Sequence, residues 1–300
     1  MVRILGWAAV ALSAFSFYFD TVVVSRTRAM LPVPAEAFVL SRFVIGLTVV
    51  SAFFLIRRRV PRPVRHAALL LRGIGNAAAV ICLFRAASLG PTAQANILNL
   101  TYPLFVALFT YIFVPAERDY QGFALTAVAV GAMLLVVSPA EFATDLSALY
   151  GLLSGVFASL AILALSFARR GNDTETVLLV MFATGAVVCL PLVPYPFPWF
   201  AAPYFLLSAA FGISGQVLLT YGFRYVSAVE GSILSSSRIV IAAVLGPLVA
   251  SEPSLDATGW IGAMTLFAIN CWLAVRKGRS GVDFAGSSRN PVVQPSDQHV

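Results

Sequence analysis

Apolar runs long enough to cross a lipid bilayer recur along almost the whole chain, and they restrict the fold more than any other feature. A spanning helix needs roughly 20 predominantly apolar residues. We count ten such runs, with predicted limits 4–24, 36–56, 67–87, 91–114, 120–138, 147–168, 175–194, 200–221, 229–250 and 256–275. Only 11% of the residues are charged, against about a quarter in a soluble domain. The sequence therefore predicts an all-α integral membrane protein with ten transmembrane helices.

Charged and reactive residues exclude several functional classes. The net charge is +7, but basic residues concentrate in the connections between apolar runs, so nucleic-acid binding is not predicted. The three cysteines have neither metal-ligand nor disulfide spacing, and both histidines lie outside the spans. No Walker A motif or Gly-rich phosphate loop occurs. We expect no metal, no cofactor and no ATP drive, and a membrane enzyme acting on lipid is only a remote alternative.

Lysine and arginine predict the orientation in the membrane. With the N-terminus in the cytoplasm, fourteen basic residues face the cytoplasm, and three, Arg26, Arg28 and Arg85, face the opposite side. The positive-inside rule then places both termini in the cytoplasm, and we expect the chain in the inner membrane. Residues 278–300 are polar and aperiodic, which predicts a disordered cytoplasmic tail.

The chain repeats itself at about half its length. "FRAAS" (84–88) matches "FRYVS" (223–227), and "NILNLTYPLFVALF" (96–109) matches "SILSSSRIVIAAVL" (232–245). The first span likewise lies over the sixth. Residues 1–138 and 139–277 are therefore predicted to be related five-helix units. Because five is odd, the second unit must insert upside down, which gives the inverted repeat common in secondary transporters.

Several residues carry a more specific pattern: Arg42 in "LSRFVIGLTVV", Pro103, Gly122, Gly131, and an acidic residue closing the fourth span, Glu117, echoed by Glu252. With the block from "LRGIGNAAAV" to "GAML" and its weaker second copy, the chain resembles the EamA-type repeat of the drug/metabolite transporter superfamily over about residues 4–276. The resemblance implies ten helices, with spans 1, 3, 4, 6, 8 and 9 lining a central route for small metabolites. The Trp-Gly pair common in the first span of such proteins is absent here, and Pro103 has no proline counterpart in the second half.

A polar face on the first span is the first candidate for the transport site. Ser13, Ser16 and Asp20 are spaced to share one face of a helix. We hypothesise that Asp20 titrates and couples proton movement to transport. The alternatives are a fixed ion pair with a neighbouring arginine, or a position near the outer headgroups.

The fourth span carries a polar stripe of Thr92, Asn96, Asn99 and Pro103. Asparagine amides can donate to a carboxylate and accept from an ammonium group, so the stripe suits a zwitterionic or polar substrate. Interhelical hydrogen bonding is the alternative. Pro103 is predicted to kink the helix, and Tyr102 lies one position off the stripe.

Arg238, inside the ninth span, is the strongest candidate for an anion-binding residue. We hypothesise that it binds a substrate carboxylate or phosphate, and the alternative is a salt bridge to Asp20 or Glu230. The remaining predicted cavity residues are Asn76, Gln216 and Ser235, and the predicted structural or gating residues are Pro103, Glu117, Glu252 and Arg42. Arg42 and Arg72 are expected to extend toward the membrane surfaces, and Gly151, Gly155 and Ser159 to form a packing ridge.

These features together predict a secondary transporter that moves a small polar, amino-acid-like metabolite across the inner membrane, by export through alternating access. Protons are a possible second partner beside the substrate and the bilayer. The alternative within transport is an uptake permease for an organic metabolite or vitamin, in which Phe15, Phe17, Tyr18 and Phe19 stack on a ring.

Overall fold

Every regular element in the described part of the protein is helical. The computed structural model describes residues 2–113, 145–168, 171–222, 235–251 and 253–279, with isolated helical positions between 121 and 136. Among these, six stretches are long and apolar enough to cross a membrane: Ile4–Met30, Ala35–Ile56, His66–Leu89, Leu146–Leu165, Thr174–Leu192 and Trp199–Leu219. They correspond to predicted spans 1, 2, 3, 6, 7 and 8, which confirms the membrane class and leaves the count of ten a prediction.

The described helices follow the predicted spans closely. They are α1 Val2–Met30, α2 Ala35–Ile56, α3 His66–Leu89, α4 Thr92–Asn99, α5 Tyr102–Phe113, α6 Leu146–Ala168, α7 Thr174–Cys189, α8 Ala202–Gly222, α9 Arg238–Val249 and α10 Ala257–Arg279, with short 3₁₀ turns at Leu190–Leu192 and Trp199–Ala201. The first span is longer than predicted. Most of the fifth, 120–138, the first part of the ninth, 229–234, and the tail from 280 onward lie outside the described residues.

Local sequence accounts for several of the helix starts. Pro34 precedes α2 and Pro91 precedes α4, where the missing N–H of proline costs nothing because helix-start donors have no partner within the helix. Asp173 caps α7 by accepting a hydrogen bond from the Thr176 amide at 2.9 Å. These starts place the polar faces of the helices at defined depths in the bundle.

The fourth predicted span is two helices, α4 and α5, separated by Leu100 and Thr101, which corrects the prediction of one helix over 91–114. Pro103 lies in the first turn of α5, where the missing N–H of proline breaks no intrahelical hydrogen bond, so the sequence favours a new helix start here. The freed carbonyl of Leu100 accepts a hydrogen bond from Asn270 Nδ2 at 2.9 Å. The repeat aligns this break with Ser236 and Ser237, directly before the start of α9. Irregular backbone at membrane depth occurs where it is buried in protein or lines a cavity.

Helix packing between the two halves is reciprocal. The most extensive contacts join α1 to α8 and α3 to α6. In the sequence repeat α1 corresponds to α6 and α3 to α8, so these two contacts are equivalent. The contacts of α2 with α8 and of α7 with α3 form a second equivalent pair, and those of α9 with α1 and of α4 with α6 form a third. The halves therefore meet through matching surfaces, as two related units do.

Close packing at the interface between the halves depends on small residues. A methyl group at Gly155 of α6 would lie 3.1 Å from the Leu98 carbonyl oxygen, and one at Gly151 would lie 2.9 Å from the Leu98 side chain. These glycines let α6 approach the α4–α5 break, which confirms the predicted packing role of this ridge. Large apolar side chains such as Leu55, Ile56 and Val187 are exposed on the outside of the bundle, as expected for helices that face lipid.

Candidate functional site

Two arginines lie inside the bundle against the same aromatic ring. The Cζ atom of Arg42 is 5.9 Å, and that of Arg238 5.6 Å, from the centre of the Phe17 ring. The side chains are buried, with 5% of Arg42 and 8% of Arg238 exposed. Both guanidinium groups are within range of a cation–π contact with the ring. Phe17 thus marks the centre of the candidate site.

Arg42 on α2 forms an ion pair with Asp20 on α1. Arg42 NH1 donates to Asp20 Oδ2 at 2.5 Å, and Ser208 Oγ on α8 donates to Asp20 Oδ1 at 2.6 Å. Asp20 is 1% exposed. The prediction that Arg42 extends to the membrane surface is therefore wrong, because a buried carboxylate gives its charge a partner inside the bundle. The fixed-pair alternative for Asp20 matches this geometry.

Arg238 on α9 binds an amide instead of a carboxylate. Arg238 NH2 donates to Asn99 Oδ1 at 2.5 Å, and Asn99 Nδ2 donates to Ser154 Oγ on α6 at 3.0 Å. The suggested salt bridge from Arg238 to Asp20 does not form, since Asp20 pairs with Arg42. Glu230, the other suggested partner, lies outside the described residues.

We call Phe17, Asp20, Arg42, Asn99, Ser154, Ser208 and Arg238 the central polar cluster. Its described members carry two positive charges and one negative charge. Both of its hydrogen-bonded chains cross between the two halves, through Ser208 in one chain and through Asn99 in the other. The cluster therefore lies where relative movement of the halves would change its geometry.

Three buried polar atoms near the α4–α5 break have no hydrogen-bond partner among the described residues: Arg238 Nε, Asn96 Oδ1 and Asn270 Oδ1. Asn96 Nδ2 donates to Thr21 Oγ1 at 2.8 Å, and Asn96 lies one helical turn before Asn99. Among the described residues, one unpaired donor and two unpaired acceptors therefore lie on three helices that meet near the break. A zwitterionic solute supplies the matching groups, a carboxylate for the donor and an ammonium group for the acceptors.

The other predicted site residues differ in their burial and hydrogen bonding. Ser16 donates to the Leu12 carbonyl oxygen of its own helix at 3.0 Å, Asn76 is buried in α3, and Gln216, Tyr102 and Ser235 are half-buried. Tyr102 begins α5. Glu117 and Glu252, like the Pro103 side chain, lie outside what the structure describes.

Sequence reasoning missed Ser154 and Asn270 in the site. Ser154 lies inside the Gly151–Ser159 stretch, which small residues already explained as a packing ridge. Asn270 is a single amide in a long apolar run, and its polarity within a span was the available signal. The contact of Asn270 with the Leu100 carbonyl depends on the interruption between α4 and α5, and the sequence pattern predicted only a kink at Pro103.

Comparison with known proteins decides the family. The family model of the EamA-like transporter family matches this chain twice, over residues 4–138 and 145–273. The chain belongs to the EamA-like transporter family. The two matches agree with the internal repeat, and the chain is a membrane transport protein.

Individual relatives of this EamA-like transporter support the same conclusion. It is 30% identical over 258 residues to the pseudopaline exporter CntI of Pseudomonas aeruginosa, covering 82% of this chain and 88% of the exporter. It is 22% identical over 259 residues to mouse solute carrier family 35 member G1, covering 79% of this chain and 70% of that protein. A solved crystal structure of a protein with 21% identity matches with a TM-score of 0.53, over 93% of this chain and 98% of the other; this likeness concerns the fold alone.

Proposed function

We propose that this protein is a secondary transporter that exports a small polar, amino-acid-like metabolite across the inner membrane by alternating access. The observation that carries the proposal is the central polar cluster, which holds a buried, incompletely paired Arg238 between the two halves. A relative named as an exporter, aligned over most of both chains, supports the direction of transport.

Arg238 is suited to the carboxylate of the solute. Its described hydrogen bond goes to a neutral amide oxygen, and its buried Nε atom has no partner in the part of the chain that the structure describes. A buried charge without a counter-charge is costly, so a carboxylate that reaches this residue gains both a hydrogen bond and charge neutralisation. Asn96 lies about one turn before Asn99 on α4. Its Oδ1 atom can accept a hydrogen bond from the ammonium group of the same solute.

The reciprocal packing of the halves supports alternating access. Two related units around one site can exchange equivalent contacts and so open first to one side and then to the other. In this proposal residues 1–138 and 139–277 are the moving units, inverted in the membrane with both termini in the cytoplasm. At the two ends of the bundle, contacts between the halves join Arg85 to Tyr150 and Asn172 to Val64. For the site to open first to one side and then to the other, the contact at one end would have to break, and then the contact at the opposite end.

Counterflow in liposomes tests the proposal. The purified full chain is reconstituted, and the exchange of labelled neutral, acidic and basic amino acids, dicarboxylates and amines is measured. We expect exchange of at least one carboxylate-bearing compound, and we expect Arg238→Gln to lower it by about tenfold or more, the effect of losing one charge-assisted hydrogen bond. Arg57→Gln, which removes a charge from an exposed side chain at the end of α2, is the matched control.

The Arg238→Gln protein should fold, because glutamine can still donate to Asn99 and the substitution removes an incompletely neutralised buried charge. Its thermal unfolding temperature in detergent should equal or exceed that of the wild type. The proposal fails if no compound of the panel exchanges, or if Arg238→Gln and Arg57→Gln transport equally well.

A further inference from the structure

The ion pair between Asp20 and Arg42 uses only part of the binding capacity of the arginine. A guanidinium group can grip a carboxylate with two parallel N–H donors. Among the described residues, Arg42 makes one hydrogen bond, from NH1 to Asp20 Oδ2, and Ser208 holds the other Asp20 oxygen. The carboxylate is thus shared between α2 and α8, and Arg42 is not saturated by it.

Arg42 and Arg238 lie against the same aromatic ring. Both guanidinium groups lie within 6 Å of the Phe17 ring centre, so they are at most twice that distance apart. Gly215 of α8 packs on the ring, since a methyl group there would lie 2.8 Å from Phe17 Cε1. The two arginines are therefore neighbours around one ring, with Asp20 as their one acidic neighbour among the described residues.

We propose that Arg42 is a second carboxylate-binding residue of the transport site, and that Asp20 is a tethered competitor which occupies it when no solute is bound. This inference rests on the proposed function. A solute carboxylate on Arg42 displaces Asp20 onto Ser208 alone, and the Asp20 carboxylate returns when the solute leaves. The site therefore favours compounds with carboxylates that reach both arginines across Phe17.

Tethered competition has a consequence that an ordinary structural ion pair lacks: removal of the competitor tightens binding. Asp20→Asn keeps the side-chain shape and removes the charge that competes for Arg42. We expect the full-length Asp20→Asn protein to bind succinate, a probe with two carboxylates, about tenfold more tightly than the wild type does. Ser208→Ala loosens the hold on Asp20 and should tighten succinate binding by a smaller factor in the same direction.

Two controls isolate the effect. Glu36→Gln removes another buried acid that pairs with an arginine, Arg85, away from the Phe17 ring, and it should leave succinate affinity unchanged. Adding Arg42→Gln to Asp20→Asn should abolish the gain. Binding is measured as the ligand-dependent rise in unfolding temperature of the detergent-purified protein, with succinate, glycine and ethylammonium as probes.

The outcomes separate this inference from the proposed function. If Asp20→Asn elutes and melts as a folded protein but binds succinate no more tightly than the wild type, tethered competition is overturned. If Asp20→Asn does not fold, Ser208→Ala decides, and an unchanged or weaker affinity overturns the inference. If these variants fold but do not tighten succinate binding, and Arg238→Gln abolishes counterflow, the proposed function stands without a role for Arg42. A wild-type protein that exchanges nothing in liposomes contradicts the proposed function itself.

Discussion

Gly212 on α8 provides a direct test of how tightly the central polar cluster is packed. A methyl group at this position would lie 2.7 Å from Asp20 Oδ2 and 2.8 Å from both Cζ and Nε of Arg42. Favourable contacts between heavy atoms lie near 3.5–4.0 Å. In Gly212→Ala either α8 moves outward or the ion pair shifts. Asp20 can shift only by weakening its bond to Arg42 or to Ser208.

The size of the effect follows from these distances. Overpacking of a tight interior costs about 1–3 kcal/mol, and alanine recovers about 1 kcal/mol of helix propensity. Separation of a buried ion pair adds several kcal/mol, up to about 5. Relative to a Gly→Ala change at an open helical position, which gains the same helix propensity, we expect a loss of at least about 1 kcal/mol in the free energy of unfolding. This corresponds to a fall in unfolding temperature of about 2–4 °C or more.

Gly131 supplies a matched control, since a methyl group there would meet no described residue within 4 Å and the residue is exposed. Gly131→Ala should melt at or slightly above the wild-type temperature and transport normally. Unfolding is followed by size-exclusion chromatography after heating in detergent, and transport by counterflow. The reasoning is refuted if Gly212→Ala unfolds at the same temperature as Gly131→Ala and exchanges substrate at the wild-type rate.

Two further predictions concern α10. Asn270→Leu removes the hydrogen bond to the freed Leu100 carbonyl. Because this leaves a buried acceptor unpaired, the free energy of unfolding should fall by about 1–3 kcal/mol. An unchanged unfolding temperature would show that the break needs no such partner. At the start of the helix, hydrogen bonds from the Thr258 hydroxyl and the Gly259 amide lower the pKa of Asp256. The contribution of Asp256 to stability is therefore present above its unfolded pKa of about 3.9 and is lost as the pH falls through the lower folded value. The wild-type advantage over Asp256→Ala should disappear on acidification, and a difference that persists at about pH 2 would contradict this sign.

Apolar runs were sufficient to predict the membrane class and six spans, because the length of such a run is set by the bilayer thickness and not by neighbouring helices. The repeat could also be recognised from the sequence, because similar copies such as "FRAAS" and "FRYVS" are present in both halves. Polar positions inside spans identified Asp20, Asn99 and Arg238, because an uncompensated polar group in lipid is costly and points inward.

Pairing within the site could not be read in the same way. Arg42 and Asp20 are about twenty residues apart on different helices, and Ser208 and Arg238 come from the other half of the chain. The spacing of these residues in the sequence does not indicate which arginine forms the ion pair with the Asp20 carboxylate. Sequence reasoning offered a bond from Asp20 to Arg238 or to another arginine, and the structure gives Arg42.

By itself, then, the sequence determined that this chain crosses a membrane repeatedly, that its halves are related, and which buried polar residues have to find partners. Tertiary structure alone decided that α4 stops short of α5, that Arg42 turns inward to Asp20, and that Arg238 donates to the Asn99 amide oxygen. The physical reason is that burial depends on local composition, whereas the pairing of charges depends on distances between helices, and those are fixed only when the two halves pack together.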